Sequence, residues 1–307
     1  PVIIQMMNKH GESNEFVAKN GCGTLIKLAG NDANKTIIEK EGGIPVILQM
    51  MKQHGESNVD VAKYGCMAFT VLVSNDANKT IIGTEGGIPA IIQMMNKHGE
   101  SNVDVAMNGC IALVCLVHNN DTNSTIVGKQ GGIPVIIQMM KKHGESNVDV
   151  AKYGCNALVI LAGNDENRII IGKEGGIPVI IQMMKKHGES NVDVARYGCM
   201  ALSILVDNDE NRIIIGKECG IPVLIQMMNK LDSATQNNHT EIIQLLKDAG
   251  ATYPIKKAVA ANDIKDKGIN EINNLLYQAS SEGYIDIVKV LIKAGGFFIA
   301  TIVLLFF

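Results

Sequence analysis

The sequence has no tryptophan, few charged residues and no excess of basic ones. Charged side chains make up 19% of its 307 residues, and 28 Lys and Arg residues stand against 31 Asp and Glu residues, for a formal net charge of -3. Non-specific nucleic-acid binding needs a strong positive field, so this composition argues against a nucleic-acid partner. A hydrophobic fraction of 46% is ample for a packed core and excludes a largely disordered chain.

Common motifs of metal, cofactor and secretory proteins are also missing. No Cys-x-x-Cys pair or zinc-type pair of histidines occurs, and the Gly-Gly pairs lack the Lys and Ser or Thr that follow the glycines of a P-loop. We therefore predict no metal and no cofactor. The chain begins at Pro1 without a charged segment followed by an apolar run, so no signal peptide is expected.

A long internal repeat dominates the sequence. Near-identical segments follow one another with a period of 44 residues, broken once by an extra residue near Asn119 and Asn120. They open at Pro1, Pro45, Pro89, Pro134, Pro178 and Pro222. Periods of this length are typical of helical solenoids. Five of the seven cysteines follow the same period, so we interpret them as buried small residues of a repeat rather than as disulfide partners.

Each repeat is predicted to contain three helices. In the fourth repeat Asn164 caps a short first helix that ends at Gly175-Gly176, where glycine accepts a left-handed conformation. A second helix carries its apolar residues at helical spacing from Ile177 to Met184. Ser190 or Asn191 can cap the third and longest helix, whose apolar stripe is Val194, Gly198, Ala201, Leu202 and Leu205. Of each Met-Met pair, one residue is expected to face outward or into the next repeat.

These residues carry a resemblance to a known family. The strings Gly-Gly-Ile-Pro-Val-Ile-Ile-Gln-Met-Met at 175–184 and Gly-Cys-Met-Ala-Leu at 198–202 resemble the armadillo repeat, in particular a protist-type subset with Gly-Cys on the third helix. The resemblance covers residues 1–231 in about five and a half repeats. It implies an all-α fold, a right-handed superhelical armadillo solenoid.

The resemblance does not extend to the nuclear import adaptors of this family. Those proteins grip an extended peptide with a Trp and an Asn four residues apart on each third helix. The Trp position here holds Gly23, Met67, Ile111, Asn156 and Met200. The Asn position holds Lys27, Val71, Cys115, Ile160 and Ile204. An import-adaptor role is therefore not expected.

The repeat period fails after Lys230. Residues 232–296 resemble a short ankyrin-like helical repeat segment, with an insertion near 252–274. Residues 297–307 form an apolar tail that would reach about 16 Å as a helix, whereas a bilayer core is about 30 Å thick. We therefore expect no membrane partner, and only a longer run of about 20 apolar residues would favour one.

The motif His-Gly-Glu-Ser has the residue types of a catalytic triad. It begins at His10, His54, His98, His143 and His187. Recurrence in every repeat argues against a single asymmetric active site. We interpret the motif as a glycine helix stop followed by a helix cap, and we predict no catalytic residues and no enzymatic activity.

One face of the third helix is the predicted binding site. Opposite the apolar stripe lie four rows, namely a basic row, a tyrosine-rich row and the rows at the Trp and Asn positions given above, and in armadillo proteins this face lines the concave groove. The candidate residues are Lys19, Lys63, Tyr64, Met67, Lys152, Tyr153, Asn156, Arg196, Tyr197 and Met200. The alternative is a solvated face on which Asp60, Asp149 and Asp193 neutralise the base three residues later.

The sequence thus predicts a scaffold of the cytoplasm, with the nucleus as an additional location, that binds protein or peptide segments along the groove. The expected partner segment has acidic residues flanking apolar anchors. The alternative function is the N-terminal regulatory region of a larger signalling enzyme such as a leucine-rich-repeat kinase, because such enzymes begin with armadillo and ankyrin repeats.

Overall fold

Fifteen α-helices and one π-helical turn account for the regular structure of the described residues, and no strand occurs among them. The structure, a computed structural model, describes residues 1–73 and 76–218 together with Val223 and Met227. The chain divides into two units, residues 1–176 and 177–307, which are described separately. The all-α prediction is confirmed for this part of the chain.

The helices follow one another in a fixed order of short, medium and long. The helices that begin in the first unit are α1 (Val2–Met6, continued by the π-helical turn Met7–Gly11), α2 (Glu15–Leu28), α3 (Asp32–Lys40), α4 (Gly43–His54), α5 (Val59–Leu72), α6 (Asp76–Thr84), α7 (Gly87–His98), α8 (Val103–Val117), α9 (Asp121–Lys129), α10 (Gly132–His143), α11 (Val148–Leu161), α12 (Asp165–Lys173) and α13 (Gly176–His187). The second unit continues with α14 (Val192–Leu205) and α15 (Asp209–Lys217). The first helices of the repeats are therefore α3, α6, α9, α12 and α15, and the third helices are α2, α5, α8, α11 and α14.

Asparagine side chains start the first and third helices. Asn58 precedes α5 in an extended conformation, and its side-chain oxygen accepts hydrogen bonds from the backbone N–H groups of Asp60 and Val61 at 3.0 and 3.2 Å. Asn191 caps α14 in the same way, whereas Ser190 donates to the carbonyl of His187. Of the two predicted caps, asparagine is therefore the one that satisfies the free N–H groups of the helix.

Glycine separates the first helix of a repeat from the second. Gly42, Gly86, Gly131 and Gly175 all have positive φ, between 78° and 90°. A residue with a side chain is strained in this conformation, so the recurring Gly-Gly pair makes the sharp turn between the helices. This confirms the predicted helix end at Gly175.

Methionine pairs pack between the helices: both members are buried in the pairs at 50–51, 94–95, 139–140 and 183–184, whereas Met6 of the first pair is 44% exposed. Met51 fills the space beside Gly65 in its own repeat, and Met50 fills the space beside Gly11 in the preceding repeat. The predicted outward direction holds for Met6, whereas the Met50 thioether packs on Gly11 of the preceding repeat rather than into the next one. A Cβ atom at either glycine would overlap the methionine.

The second unit contains the apolar stripe that was predicted for the third helix. Val194, Gly198, Ala201, Leu202 and Leu205 are all buried on α14. The predicted ankyrin-like segment (232–296) and the apolar tail (297–307) lie outside the described residues. Among the residues that are described, no helix is long and apolar enough to cross a membrane.

Candidate functional site

The His-Gly-Glu-Ser loop connects successive repeats. His54 Nε2 lies 2.7 Å from the carbonyl oxygen of Gly11 and donates to it, and the same distance joins His98 to Gly55 and His143 to Gly99. The glutamates of the loops accept hydrogen bonds from Gln49, Gln93 and Gln138 of the following repeats. The motif therefore has a structural role at each of these junctions, and its side chains are already engaged.

Replacing His98 by Ala is expected to lower the free energy of unfolding by about 1 kcal/mol, because the buried carbonyl of Gly55 loses its donor. His10→Ala is the matched control, since the His10 ring is exposed and has no hydrogen-bond partner among the described residues. Urea unfolding followed by circular dichroism measures both. Equal losses for the two variants would contradict the role of the inter-repeat hydrogen bond.

The repeated cysteines are buried thiols. Burial raises the pKa of Cys22, Cys66, Cys110 and Cys199 to about 12. Cys115 is half-buried on the third helix α8, and burial raises its pKa as well. The described part of the chain has no cluster of His, Cys, Asp and Glu that could hold a metal ion. A high pKa keeps these thiols protonated, which is typical of structural cysteines rather than nucleophiles.

The raised pKa makes stability depend on alkaline pH. The thiol of Cys110 titrates near 9.0 when it is unfolded and near 12 in the folded chain, so above pH 9 only the unfolded state loses the proton. The stability that this group contributes is therefore complete below pH 9 and falls as the pH rises, by about 1.4 kcal/mol per pH unit. Urea titrations between pH 8 and 11 should show a shallower decline for Cys110→Ala than for the wild type. An unchanged slope would contradict the buried, neutral thiol.

The residues of the predicted groove face that belong to the first unit lie on its third helices. The third helices α2, α5, α8 and α11 pack side by side in this order, and the predicted row residues on them are half-exposed or exposed. The half-exposed apolar residues of this face are Met67, Val71, Ile111, Cys115 and Ile160. We call these five residues, together with Tyr64 and Tyr153, the groove strip.

The basic row is neutralised by carboxylates. Lys19 Nζ lies 2.5 Å from Asp60 Oδ2 across the junction between α2 and α5, and Lys63 Nζ lies 3.5 Å from Asp60 and 3.8 Å from Asp104. Lys152 pairs with Asp149 at 3.2 Å. The hydrogen bond from Lys19 lowers the pKa of Asp60 and raises that of Lys19. The positive charge of the lysine row is thus largely neutralised by ion pairs with the aspartates.

Each tyrosine of the groove strip lies beside a lysine. Lys63 Nζ is 5.1 Å from the centre of the Tyr64 ring, and Lys152 Nζ is 4.5 Å from that of Tyr153. These distances are typical of cation–π contacts, which fix the orientation of the ring. Helix α8 lacks both residue types and has Met107 and Asn108 instead. The tyrosines of α5 and α11 therefore flank a stretch without a large aromatic side chain.

The second unit repeats the arrangement on its own third helix. Arg196 Nη2 lies 2.9 Å from Asp193 Oδ1 and 3.1 Å from the hydroxyl of Tyr197. Its guanidinium carbon lies 4.7 Å from the centre of the Tyr197 ring. Met200 on the same helix is half-exposed, as is Asn156 on α11 of the first unit. All ten candidate residues are therefore accessible at least in part.

Sequence reasoning found the rows but missed most of their partners. Asp104 and the bond between Lys19 and Asp60 were not predicted, because the aspartates were considered only within their own helix. The signal was the repeated Val-Asp-Val-Ala pattern, which places an acid one turn before the base on α5, α11 and α14. Successive copies of the pattern bring an acid and a base together across a repeat junction as well.

Comparisons with known proteins support the fold. No family model matches the sequence, and no match was found among curated proteins. Solved structures do match. An engineered protein, 19% identical, aligns with a TM-score of 0.64 over 77% of this chain and 92% of its own. A designed armadillo repeat protein, 13% identical, aligns with a TM-score of 0.61 over 73% of this chain and 91% of its own.

A second designed armadillo repeat protein was solved in complex with the peptide (KR)4. It is 13% identical and aligns with a TM-score of 0.61 over 73% of this chain and 90% of its own. At identities this low, the alignments establish similarity of fold but not of function. The helices described here thus have the armadillo-repeat fold of these designed proteins.

Proposed function

We propose that this chain is a non-enzymatic repeat scaffold that binds a segment of a partner protein along its third helices. The observation that carries the proposal is the groove strip, because half-exposed apolar and aromatic residues recur there in register on consecutive helices. A face that met only solvent would not need them, and aromatic side chains supply much of the affinity of protein interfaces. The designed neighbour in complex with a peptide supports a binding role for this fold.

The proposed partner segment is held mainly by apolar and aromatic contacts. The carboxylates beside Lys19, Lys63 and Lys152 cancel much of the positive charge, so long-range steering of an acidic segment is weak. An ammonium group has three donors, however, and retains some of them for a partner carboxylate. Acidic residues next to the apolar anchors, as the sequence predicts, are therefore part of the proposal.

Peptides selected against the wild-type protein from a randomised display library test this function. Tyr64→Ala and Tyr153→Ala are each expected to weaken binding of a selected peptide by about tenfold or more, since each removes an aromatic anchor. Ile37→Ala is the matched control, because Ile37 is 47% exposed on the first helix α3, away from the groove strip. Fluorescence anisotropy gives the affinities, and circular dichroism checks that helicity is unchanged. Peptides whose affinity is independent of both tyrosines would contradict the proposal.

The contribution of the lysines to binding is tested by replacing them with methionine, the residue that α8 has at this position. Lys63→Met and Lys152→Met reproduce Met107, so the third helix tolerates the change. The association rate of a selected acidic peptide is expected to fall by no more than about threefold, and its salt dependence to weaken, because the ammonium groups are already paired. Stopped-flow measurements at two salt concentrations decide this. A drop of a hundredfold would show that the row is a strong steering field.

A further inference from the structure

Methionines of two kinds occur in the described part of the chain, and they differ sharply in accessibility. Ten of them are at most 1% exposed. Met6 is 44% exposed on α1, the second helix of its repeat. The remaining three are half-exposed, and each lies on a third helix: Met67 on α5, Met107 on α8 and Met200 on α14. We call these three residues the groove methionines. A solute that does not enter the core therefore meets thioethers mainly on the third helices.

The buried methionines are closed off by the residues against which they pack. Met51 and Met95 have no exposed surface, and their thioethers pack directly on Gly65 and Gly109. These two glycines lie on α5 and α8, the helices that also carry groove methionines. Each of the two helices thus has a protected thioether behind it and an accessible one on its groove face. Oxidation of Met51 or Met95 requires the core to open, whereas oxidation of a groove methionine does not.

Two of the groove methionines adjoin other residues of the groove strip. Met67 belongs to the strip and lies one turn after Tyr64 and one turn before Val71. Met107 lies one turn before Ile111 on α8, the helix that packs beside α5. A thioether is flexible and polarizable, so it adapts well to the apolar side chains of a bound segment. A polar group at either position would have to be buried by such a segment, at a cost in affinity.

Hydrogen peroxide converts an accessible thioether into such a polar group. The sulfur atom attacks one peroxide oxygen, so that an S–O bond forms and the O–O bond breaks, and the departing hydroxide takes the proton of the transferred oxygen and leaves as water. Sulfur is oxidised by two electrons and the peroxide is reduced by two. Methionine sulfoxide reductases return the sulfoxide to the thioether. Cys115 is a poorer target, because burial raises its pKa and the thiolate is the reactive form.

We propose that the groove methionines are sites of reversible oxidation by peroxides, and that their sulfoxides weaken the binding of a partner segment along the third helices. The inference rests on the proposed function and extends it to the regulation of the same site. In the free protein the sulfoxide oxygen stays in contact with water, so the fold loses little stability. In the complex the same oxygen is buried against apolar side chains, so the affinity falls.

The experiment treats the full chain with hydrogen peroxide and maps the products by peptide mass spectrometry. The groove methionines are expected to be oxidised at least about tenfold faster than Met51 and Met95. After the peroxide is removed, the affinity of a peptide selected against the unoxidised protein should be about tenfold lower. Methionine sulfoxide reductases with dithiothreitol as the reductant should restore the affinity, and circular dichroism should show the same helicity throughout.

Leucine variants identify the methionines that are responsible. The triple variant Met67→Leu, Met107→Leu, Met200→Leu keeps the apolar character and nearly the volume of the side chains. Its affinity, measured before and after peroxide treatment, should not change. Met6→Leu is the matched control, because it removes the accessible methionine that lies on a second helix. The affinity of this variant should still fall about tenfold on oxidation, as that of the wild type does.

Three results would overturn the inference. These are oxidation of the buried methionines as fast as that of the groove methionines, a triple variant that remains sensitive to peroxide, and a tyrosine-dependent peptide whose affinity is the same before and after oxidation of the groove methionines. The proposed function fails in a different way. Selected peptides whose affinity is independent of Tyr64 and Tyr153 would contradict the groove itself, and the effect of oxidation on binding with it.

Discussion

Asn123→Ala is expected to lower the free energy of unfolding by about 2–3 kcal/mol. Asn123 is only 2% exposed, and its side-chain amide donates to the carbonyl of Lys79 at 3.1 Å and to that of Leu116 at 2.9 Å. One acceptor lies in the preceding repeat and the other on the third helix next to it. Removing the amide leaves both carbonyls without this donor in a place that water does not reach.

Asn34→Ala is the matched control for this variant. Asn34 occupies the same position of the first helix α3, but it is only half-buried and donates to one carbonyl, that of Leu28, at 3.0 Å. Its loss should cost about 1 kcal/mol. Urea unfolding measures both variants. If Asn123→Ala costs no more than Asn34→Ala, the bond to the preceding repeat contributes nothing.

Gly109→Ala is expected to destabilise the chain by about 2–3 kcal/mol, although alanine is the better helix former. A Cβ atom at Gly109 would overlap the buried side chain of Met95 on the second helix α7. Gly23→Ala should instead stabilise the chain by about 0.5–1 kcal/mol, because a Cβ atom there lies 3.9 Å from the Tyr64 ring, an ordinary contact.

A double-mutant cycle identifies the cause of the loss at Gly109. Met95→Ala removes the atoms that the new methyl group would meet, so the double variant should lose less stability than the sum of the two single variants. Thermal unfolding of all four proteins gives the coupling free energy. Simple additivity would show that the cost at Gly109 does not come from the contact with Met95.

Local features of the fold were predictable because their causes lie within a few residues of each other. The cap at Asn164, the left-handed glycine at Gly175 and the buried stripe from Val194 to Leu205 all follow from short-range rules of helix geometry. The period then fixed the fold class, since only stacked helical units repeat at such a length. The rows on the third helix followed from the same helical spacing.

Contacts between repeats were not predictable, because each repeat carries nearly the same residues. The period shows that His54 and Met50 recur, but it does not show that both reach back to Gly11. For the same reason, the sequence does not show whether a methionine packs on the repeat before it or on the one after it. Likewise, the sequence shows that Ser124 of α9 stands where α6 has Lys79, but not that Ser124 and Gly163 of the next repeat line the same cavity.

The junctions of the first unit have a further consequence for how a partner finds its place. His54, His98 and His143 make the same hydrogen bond, so the loops at three successive junctions are nearly identical in their backbone contacts. These loops alone do not determine at which repeat a partner would bind. One junction of the first unit differs from the others, because Ser124, Gly163 and the extra residue Asn119 line a cavity there. A binding partner that recognises this junction would be held in a single register along the array.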